Sequence, residues 1–283
     1  MAPHTPGNDL ANLAGLIAAF PQRRVLCVGD VMVDRSFYGE VKRISPEAPI
    51  PVVRIVRESS TLGGAGNVVR NLVSLGATSA FVSIIGDDRG GRVASDLLAA
   101  LPHAEPYLRV SRARETTIKN RYFSQDGHHL LRADRETVLP LGAADLADLE
   151  RAVNAEVPVC DAVILSDYGK GVLSGNLAAT VIDAARAANK PVIVDPKGAD
   201  YSRYARANVI TPNRLELAEA TGMPVDTEAA LVAAAEALRA QTQADAILVT
   251  RSGEGMTLVL SGGQVHHLPA GTREVSEIGR AHV

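Results

Sequence analysis

The sequence lacks the features that would direct a protein to a membrane or to an oxidising compartment. No run of its 283 residues approaches the roughly 18–20 apolar residues of a membrane span. Residues 1–20 also lack the basic start and the long apolar stretch of a signal peptide. The two cysteines, Cys27 and Cys160, lie within or beside apolar runs, where buried reduced thiols are expected. These absences predict a soluble, cytoplasmic protein.

A strong charge of either sign is also missing. The net charge is -3, and the basic residues are scattered rather than clustered. This distribution excludes the basic surface expected of a protein that binds nucleic acid non-specifically. Hydrophobic residues make up 46% of the chain, which is enough for one large α/β domain, with or without a small accessory piece. We therefore expect a folded protein with neither a nucleic-acid nor a membrane partner.

The most distinctive stretch is glycine-rich and spans residues 62–72. We predict a turn containing Gly63 and Gly64 that leads directly into a helix. Glycine lets a ligand approach the backbone, the free N–H groups of a helix start favour polar groups, and Asn67 suits a ligand with hydroxyls. A dinucleotide loop or a plain tight turn is the alternative. However, only part of G-x-G-x-x-G matches, and residues 31–61 separate this turn from the first predicted strand.

The rest of the chain alternates between β-type runs and amphipathic helices. Strands are predicted at 24–28, 79–85, 108–110, 162–166, 192–195, 209–211 and 246–250, followed by a hairpin of 256–260 and 264–268. Helices are predicted at 9–20, 90–100, 143–155, 174–188, 214–221 and 227–241. This alternation predicts an α/β fold with a mostly parallel sheet and helices on both faces.

Two β-rich segments interrupt this alternation. Residues 37–58 contain Pro46, Pro49 and Pro51, which exclude a central strand or a helix and predict short interrupted strands. Residues 116–134 form two β-rich runs around an Asp-Gly pair, as in a hairpin. Together the segments predict a small sheet that covers the site and excludes water. Because such strands have free edges and an apolar face, we expect them to pair two subunits in a homodimer.

Polar groups follow several of the predicted strands. Asp30 and Asp34 lie at or just beyond the end of the first strand, where they could hold sugar hydroxyls or a metal, or act as turn and cap residues. Lys170 and Lys197 each lie beside glycine after later strands, and they could contact phosphate or be ordinary surface lysines. Because parallel strands share a carboxyl edge, we expect these groups to converge.

Two further motifs lie after the last strands of the alternation. Asn213 and Glu216 are three residues apart at a helix start, so they could hold Mg²⁺ through water or form a capping pair. Thr250, Arg251 and Gly253 follow the next strand, where they could offer hydroxyl and backbone donors to phosphate or form a tight hairpin. Each motif therefore has a ligand-binding and a purely structural interpretation.

Taken together, these motifs resemble the ribokinase-like, or PfkB, carbohydrate kinases across residues 22–275. The resemblance rests on Gly63-Gly64-Ala65-Gly66-Asn67, Asn213-x-x-Glu216 and Thr250-Arg251-Ser252-Gly253. Segments 29–35, 43–49, 165–171 and 195–198 are similar to the members of the family that phosphorylate a heptose 7-phosphate. The resemblance implies ATP, Mg²⁺ and transfer of the γ-phosphate to the anomeric hydroxyl of D-glycero-β-D-manno-heptose 7-phosphate, giving the 1,7-bisphosphate for lipopolysaccharide synthesis.

The resemblance also implies roles for individual residues. Those expected to bind the sugar are Asp34, Gly63, Gly64 and Asn67 for the hydroxyls, and Lys170 and Lys197 for the phosphate. Those expected on the nucleotide side are Asn213, Arg214, Leu215, Glu216, Thr250, Arg251 and Gly253. Magnesium would be held through water by Asn213 and Glu216.

The sequence departs from the family pattern near its C-terminal end. Family members continue after the position of Val275 into Gly-Ala-Gly-Asp, whose aspartate takes the proton of the sugar hydroxyl, and residues 276–283 carry no such motif. We therefore expect no catalytic residue in this chain, an incomplete, C-terminally truncated kinase domain over residues 1–275 and a non-native tail over 276–283. The alternatives are a kinase for another sugar or a nucleoside, or a non-catalytic protein that binds sugar phosphate or nucleotide.

Overall fold

The computed structural model describes residues 13–271, which divide into two compact units. The first unit extends to Leu177 and the second begins at Ala178. No helix in the described range is both long enough and apolar enough to cross a membrane. Residues 1–12 and 272–283 lie outside the described part, and they include the expected tail over 276–283.

Four parallel strands form the main layer of the first unit. Its strands are β1 (Arg24–Gly29), β4 (Thr78–Gly86), β5 (Ala104–Ser111) and β8 (Ala162–Ser166), in the order β8-β1-β4-β5. The successive β1 residues Leu26, Cys27 and Val28 are all fully buried. Because neighbouring side chains on a strand point to opposite faces, both faces of this sheet are covered.

Three helices pack against these strands, and each buries the side chains along one of its faces. They are α1 (Ala65–Ser74), α2 (Arg89–Ala99) and α3 (Ala143–Glu156). Helix α1 buries Val69 and Val73, which are four residues apart and so lie on one face. Helix α2 begins after Asp88, whose carboxylate accepts a hydrogen bond of 2.7 Å from the Gly91 amide. That cap satisfies one of the free N–H groups at the helix start.

The first unit also contains a separate four-stranded sheet, which we call the lid. Its strands are β2 (Val31–Ile44), β3 (Pro51–Gly64), β6 (Thr117–Ser124) and β7 (His129–Arg135), in the order β3-β2-β6-β7. The prediction of short strands broken by proline is wrong, since β2 and β3 are each 14 residues long. Pro46 and Pro49 lie in the connection between them, and Pro51 is the first residue of an edge strand, where no ladder hydrogen bond is lost.

Strand β3 of the lid continues into helix α1 without a loop. Gly64 is the last strand residue and Ala65 the first helical one. The prediction of a turn across this stretch is wrong for Leu62 and Gly63, which remain in the strand. The change of direction occurs at Gly64, whose φ of 59° is accessible to glycine at little cost. The Ala65 amide donates to the carbonyl of Asp30 at 3.0 Å, which ties the joint to the end of β1.

The second unit contains five strands that are hydrogen-bonded side by side. Its strands are β9 (Val192–Asp195), β10 (Val209–Ile210), β11 (Ala246–Thr250), β12 (Met256–Leu260) and β13 (Val265–Leu268), in the order β13-β12-β11-β10-β9. Strands β9 to β11 are parallel, and β12 and β13 add antiparallel edges. Its helices are α4 (Leu177–Ala187), α5 (Arg214–Thr221) and α6 (Glu228–Thr242).

These elements confirm the predicted α/β fold with a mostly parallel sheet. Helix α4 begins later than predicted, because residues 167–176 form an irregular segment. Residues 13–18 of the predicted N-terminal helix are helical, and residues 9–12 lie outside the described part. Cys27 and Cys160 are buried as predicted, and burial raises the pKa of the Cys27 thiol to about 12.

Candidate functional site

Asp30, at the end of β1, organises the segment that follows β8. One carboxylate oxygen accepts from the amides of Tyr168 at 2.9 Å and Lys170 at 3.1 Å, and the other accepts from the Val172 amide at 2.9 Å. Burial raises the pKa of the Asp30 carboxyl, and the three amide donors oppose that rise. Because both oxygens are engaged with backbone, Asp30 has the structural role that was one of the two interpretations of its position, rather than the role of a sugar or metal ligand.

Asp34 lies within the lid rather than at the end of β1. It is the fourth residue of β2, and its carboxylate pairs with Arg121 at 2.7 Å. Gly63 lies beside it, since a Cβ on Gly63 would clash with the Asp34 carboxylate. The absence of a side chain there leaves the carboxylate and the backbone next to each other. This arrangement can accept hydrogen bonds from hydroxyl groups of a ligand.

Gly64 and Asn67 lie on either side of the joint between β3 and α1. A Cβ on Gly64 would clash with the Asp30 carbonyl and the Met32 side chain, so the close approach of these segments requires glycine. Asn67, in the first turn of α1, accepts a hydrogen bond of 2.6 Å from Arg70 through its side-chain oxygen. Its amide nitrogen retains two donors for a ligand.

Lys170 lies in the segment held by Asp30. Its ammonium pairs with Glu136 at 2.8 Å, and its side chain is mostly buried. Arg114 donates to the Lys170 carbonyl at 3.4 Å. Both cations line a small recess that also includes the hydroxyl-bearing Thr116 and Thr117. Lys170 is thus a fixed cation rather than the ordinary surface lysine that was the alternative.

The lid contributes cations that sequence analysis missed. Lys119 and Arg121 are two residues apart on β6, so they share one face, and Asp34 is the register partner of Lys119 on β2. Burial lowers the pKa of Lys119, and the charge of Asp34 opposes that effect. The spacing of the two cations within a β-type run was the available signal.

In the second unit, Lys197 and Glu216 form an ion pair. The ammonium lies 3.1 Å from one carboxylate oxygen; the Lys197 side chain is half-exposed, whereas that of Glu216 is mostly buried. The Lys197 amide donates to the Tyr204 hydroxyl at 3.2 Å, which fixes the backbone after β9. The structure therefore places a residue predicted to bind the sugar's phosphate beside one predicted to act on the nucleotide side.

Asn213 and Glu216 form the capping pair that was the structural alternative. The side-chain oxygen of Asn213 accepts a hydrogen bond of 2.9 Å from the Glu216 backbone N–H. The Glu216 carboxylate oxygen that does not contact Lys197 accepts one of 3.0 Å from the Asn213 backbone N–H. This capping box starts α5. Each of these oxygens keeps a further lone pair for water, so the pair fits an outer-sphere Mg²⁺ site. Among residues 13–271 no group of three His, Cys, Asp or Glu side chains could hold a metal directly.

The turn after β11 lies against this capping box. The Thr250 amide donates to the Pro212 carbonyl at 3.0 Å, and Asn213 and Thr250 form an isolated parallel bridge. The tight hairpin that was the structural alternative is present, since the Arg251 backbone N–H donates to the Gly255 carbonyl at 2.8 Å. A Cβ on Gly253 would meet no atom within 4 Å, so this part of the turn is open.

The other predicted nucleotide-side residues flank this turn. Arg214 pairs with Glu254 at 2.5 Å, which links the start of α5 to the turn after β11. Arg251 is largely buried and lies 3.5 Å from the Glu228 carboxylate. Leu215 is 66% exposed. Isolated exposed apolar side chains are common on protein surfaces, so the exposure of Leu215 does not by itself assign it a ligand.

The chain is similar in sequence to longer proteins of bacteria. The chain is 53% identical to the bifunctional protein HldE of Paramagnetospirillum magneticum over 273 residues, which is 96% of this chain and 56% of that protein. It is 49% identical to the protein of the same name from Rhodospirillum rubrum, over 95% of this chain and 54% of that protein. The chain thus spans about half the length of the curated relatives it matches.

Solved structures share the fold at low sequence identity. Ribokinase from Arabidopsis thaliana, complexed with ribose and ATP, aligns with a TM-score of 0.63 at 19% identity. The alignment covers 87% of this chain and 78% of the ribokinase chain. The tetrameric inhibited form of phosphofructokinase-2 from Escherichia coli aligns with a TM-score of 0.69 at 19% identity. The alignment covers 89% of this chain and 81% of the phosphofructokinase chain. The profile of the pfkB family of carbohydrate kinases matches residues 22–278. Because that match spans nearly the whole chain, the protein belongs to the pfkB family of carbohydrate kinases.

Proposed function

We propose that this chain binds the substrates of an ATP-dependent sugar kinase that acts on D-glycero-β-D-manno-heptose 7-phosphate; the Gly-Ala-Gly-Asp motif expected to supply the base is not among its residues. The phosphoryl group would go to the anomeric hydroxyl, giving the 1,7-bisphosphate used for lipopolysaccharide heptose. The observation that carries the proposal is the position of the Asp34 carboxylate beside the bare backbone of Gly63. A carboxylate next to open backbone suits a ligand with several hydroxyls. Family membership supplies the reaction class, which is phosphoryl transfer to a sugar. The proposed location of the protein is the cytoplasm, where ATP is available.

On the sugar side, the proposed roles follow from the chemistry of each group. Asp34 accepts hydrogen bonds from sugar hydroxyls, the backbone of Gly63 and Gly64 lies against the ring, and Asn67 donates through its free amide nitrogen. Lys170 is the proposed contact for the sugar's phosphate, because its ammonium is fixed by Glu136. Phosphoryl transfer depends mainly on positioning and on neutralising charge, so a fixed carboxylate and a fixed cation are both useful.

In the second unit, we assign the nucleotide phosphates to the capping box and the turn after β11. Asn213 and Glu216 would hold Mg²⁺ through water, and the bound ion would neutralise charge on the phosphates. Thr250 and Gly253 would donate to phosphate oxygens from the open turn. Lys197 is proposed to contact the sugar's phosphate, and its ion pair with Glu216 would then be exchanged for one with that anion.

Isothermal titration of the chain with paired sugars tests the substrate assignment. We expect heptose 7-phosphate to bind at least about tenfold more tightly than the phosphate-free heptose, as one ionic hydrogen bond would provide. Fructose 6-phosphate is the comparison ligand, since phosphofructokinase-2 from Escherichia coli, which shares this fold, was solved in complex with it. The readout is binding, so the result does not depend on turnover. Equal or tighter binding of fructose 6-phosphate would overturn the heptose assignment and favour another sugar phosphate.

We also propose that the protein forms a homodimer through the lid. The outer part of the lid exposes the apolar side chains of Val41, Ile44, Ile55 and Leu131. Strands β3 and β7 are the edges of the lid sheet. Exposed apolar groups and unpaired strand edges are both relieved when a second copy docks on them.

Ile55→Glu should therefore raise the dimer dissociation constant by at least about tenfold, because it would place a charge in an apolar contact. Analytical ultracentrifugation over a micromolar concentration series measures this change. Leu75→Glu is the matched control, since Leu75 is also exposed but lies at the end of α1, outside the lid. A monomeric wild-type chain, or equal weakening by both variants, would contradict dimerisation through the lid.

A further inference from the structure

One face of the lid gathers four cations around Asp34. Lys119 is the register partner of Asp34 on β2 and of Asp134 on β7, and Arg121 pairs in the same way with Arg132. Since residues paired across strands point to one face, these side chains share the face that carries Asp34. Lys170 is the fourth cation, and its charge acts on the pKa of Lys119 together with those of Asp34, Arg121 and Arg132.

Three of these cations have a carboxylate partner. Arg121 pairs with Asp34 at 2.7 Å, Lys170 pairs with Glu136 at 2.8 Å, and Arg132 binds both oxygens of Asp134 at 2.9 and 2.6 Å. Lys119 has no carboxylate within 4 Å among residues 13–271, and its ammonium lies 6.0 Å from the centre of the Tyr168 ring. The group therefore has four positive and three negative charges, and Lys119 carries the excess.

The unpaired ammonium is partly buried, which makes its charge unfavourable in the absence of an anion. Burial lowers the pKa of Lys119, and so do the like charges of Arg132, Lys170 and Arg121. An anionic ligand would relieve both effects, because it supplies the missing negative charge and accepts the ammonium's hydrogen bonds. A neutral hydroxyl would accept the hydrogen bonds but would supply no negative charge.

We propose that Lys119 recognises the phosphate ester of the sugar substrate and so selects phosphorylated over unphosphorylated sugars. This inference rests on the proposed function, because the ligand is the same sugar phosphate. The phosphomonoester binds to the ammonium of Lys119 beside Asp34, and the Tyr168 ring lines the other side. Lys170 and Arg121 add positive charge near the same position. The lid strand β6 is then an element that determines specificity.

The test compares binding of four phosphorylated sugars with binding of their phosphate-free parents, by isothermal titration. The sugar phosphates are heptose 7-phosphate, fructose 6-phosphate, glucose 6-phosphate and ribose 5-phosphate. Lys119→Met should weaken binding of the preferred sugar phosphate by about 10–100-fold, as expected for losing a charged hydrogen bond. Binding of the phosphate-free parent should change less than about twofold. Lys119→Arg should restore most of the lost affinity, since it retains the charge.

Lys42→Met is the matched control. Lys42 is also a lid lysine, but it is 77% exposed and pairs with Glu40, so its removal should leave all four affinities unchanged. Equal loss for a sugar phosphate and its parent would overturn the inference, as would no loss at all. A wild-type preference for a sugar phosphate other than the heptose would overturn the heptose assignment, yet loss of that preference in Lys119→Met would still support Lys119. If no phosphorylated sugar binds better than its phosphate-free parent, both the heptose assignment and the proposed role of Lys119 are overturned.

Discussion

Replacing Asp30 with alanine is expected to lower the free energy of unfolding by about 3–5 kcal/mol. Its carboxylate is the acceptor for the amides of Tyr168, Lys170 and Val172, and the side chain is buried. Without it, three N–H groups lose their acceptor in a place where water cannot fully replace it. Urea denaturation followed by circular dichroism measures the change.

Two further variants make this result interpretable. Asp30→Asn keeps one acceptor oxygen and should cost less than the alanine change, so it provides a measurement if the alanine variant does not fold. Asp200→Ala is the control, because Asp200 is exposed and accepts one amide hydrogen bond of 2.9 Å from Ser202. It should cost less than about 1 kcal/mol. An Asp30→Ala variant as stable as this control would show that the segment after β8 does not depend on Asp30.

The second large effect concerns the separation of sugar binding from nucleotide binding. Asp34→Ala and Asn67→Ala should each weaken sugar-phosphate binding by about 10–100-fold while changing ATP affinity less than about twofold. Glu216→Ala should weaken binding of the ATP analogue by about 10–100-fold in the presence of magnesium, because its carboxylate holds the cap of α5 and the proposed ion. It should not weaken sugar-phosphate binding, because the change releases Lys197 from its ion pair. Isothermal titration with the sugar phosphate and with a non-hydrolysable ATP analogue measures both affinities.

The control for this series is Glu58→Ala. Glu58 is a carboxylate of the same lid that pairs with Arg35, so its removal tests the cost of breaking a lid ion pair outside the site. We expect both affinities to remain within about twofold of wild type. If Asp34, Asn67 and Glu216 variants lose both ligands equally, the residues are structural rather than specific to one ligand.

The central strands outside the lid could be predicted from sequence because their apolar runs are continuous. Strand β8 (Ala162–Ser166) and strand β11 (Ala246–Thr250) have the predicted bounds. Such runs are buried on both faces, so local composition alone identifies them. The lid was harder, because β2 and β3 are polar on much of their surface and their 14-residue lengths depend on pairing with each other.

The assignment of Asp34 illustrates what local sequence cannot show. Its predicted place, after β1, is correct along the chain, but β2 begins only two residues after Gly29 and carries Asp34 into the lid. Its partner Arg121 is 87 residues away, and nothing near Asp34 indicates that pairing. The same reason explains why Lys119 was missed, since its significance depends on strands brought together by topology rather than by proximity in sequence.

The loopless joint between β3 and α1 would couple the proposed sugar binding to the position of the lid. Gly63 belongs to the lid and Asn67 to the helix, and only Gly64 and two further residues separate them. A sugar bound to both would bridge the two elements across Gly64, the residue with positive φ in this stretch. By thermodynamic reciprocity, whatever fixes the lid, including a second subunit docked on it, must then alter sugar affinity by the same factor that the sugar alters docking.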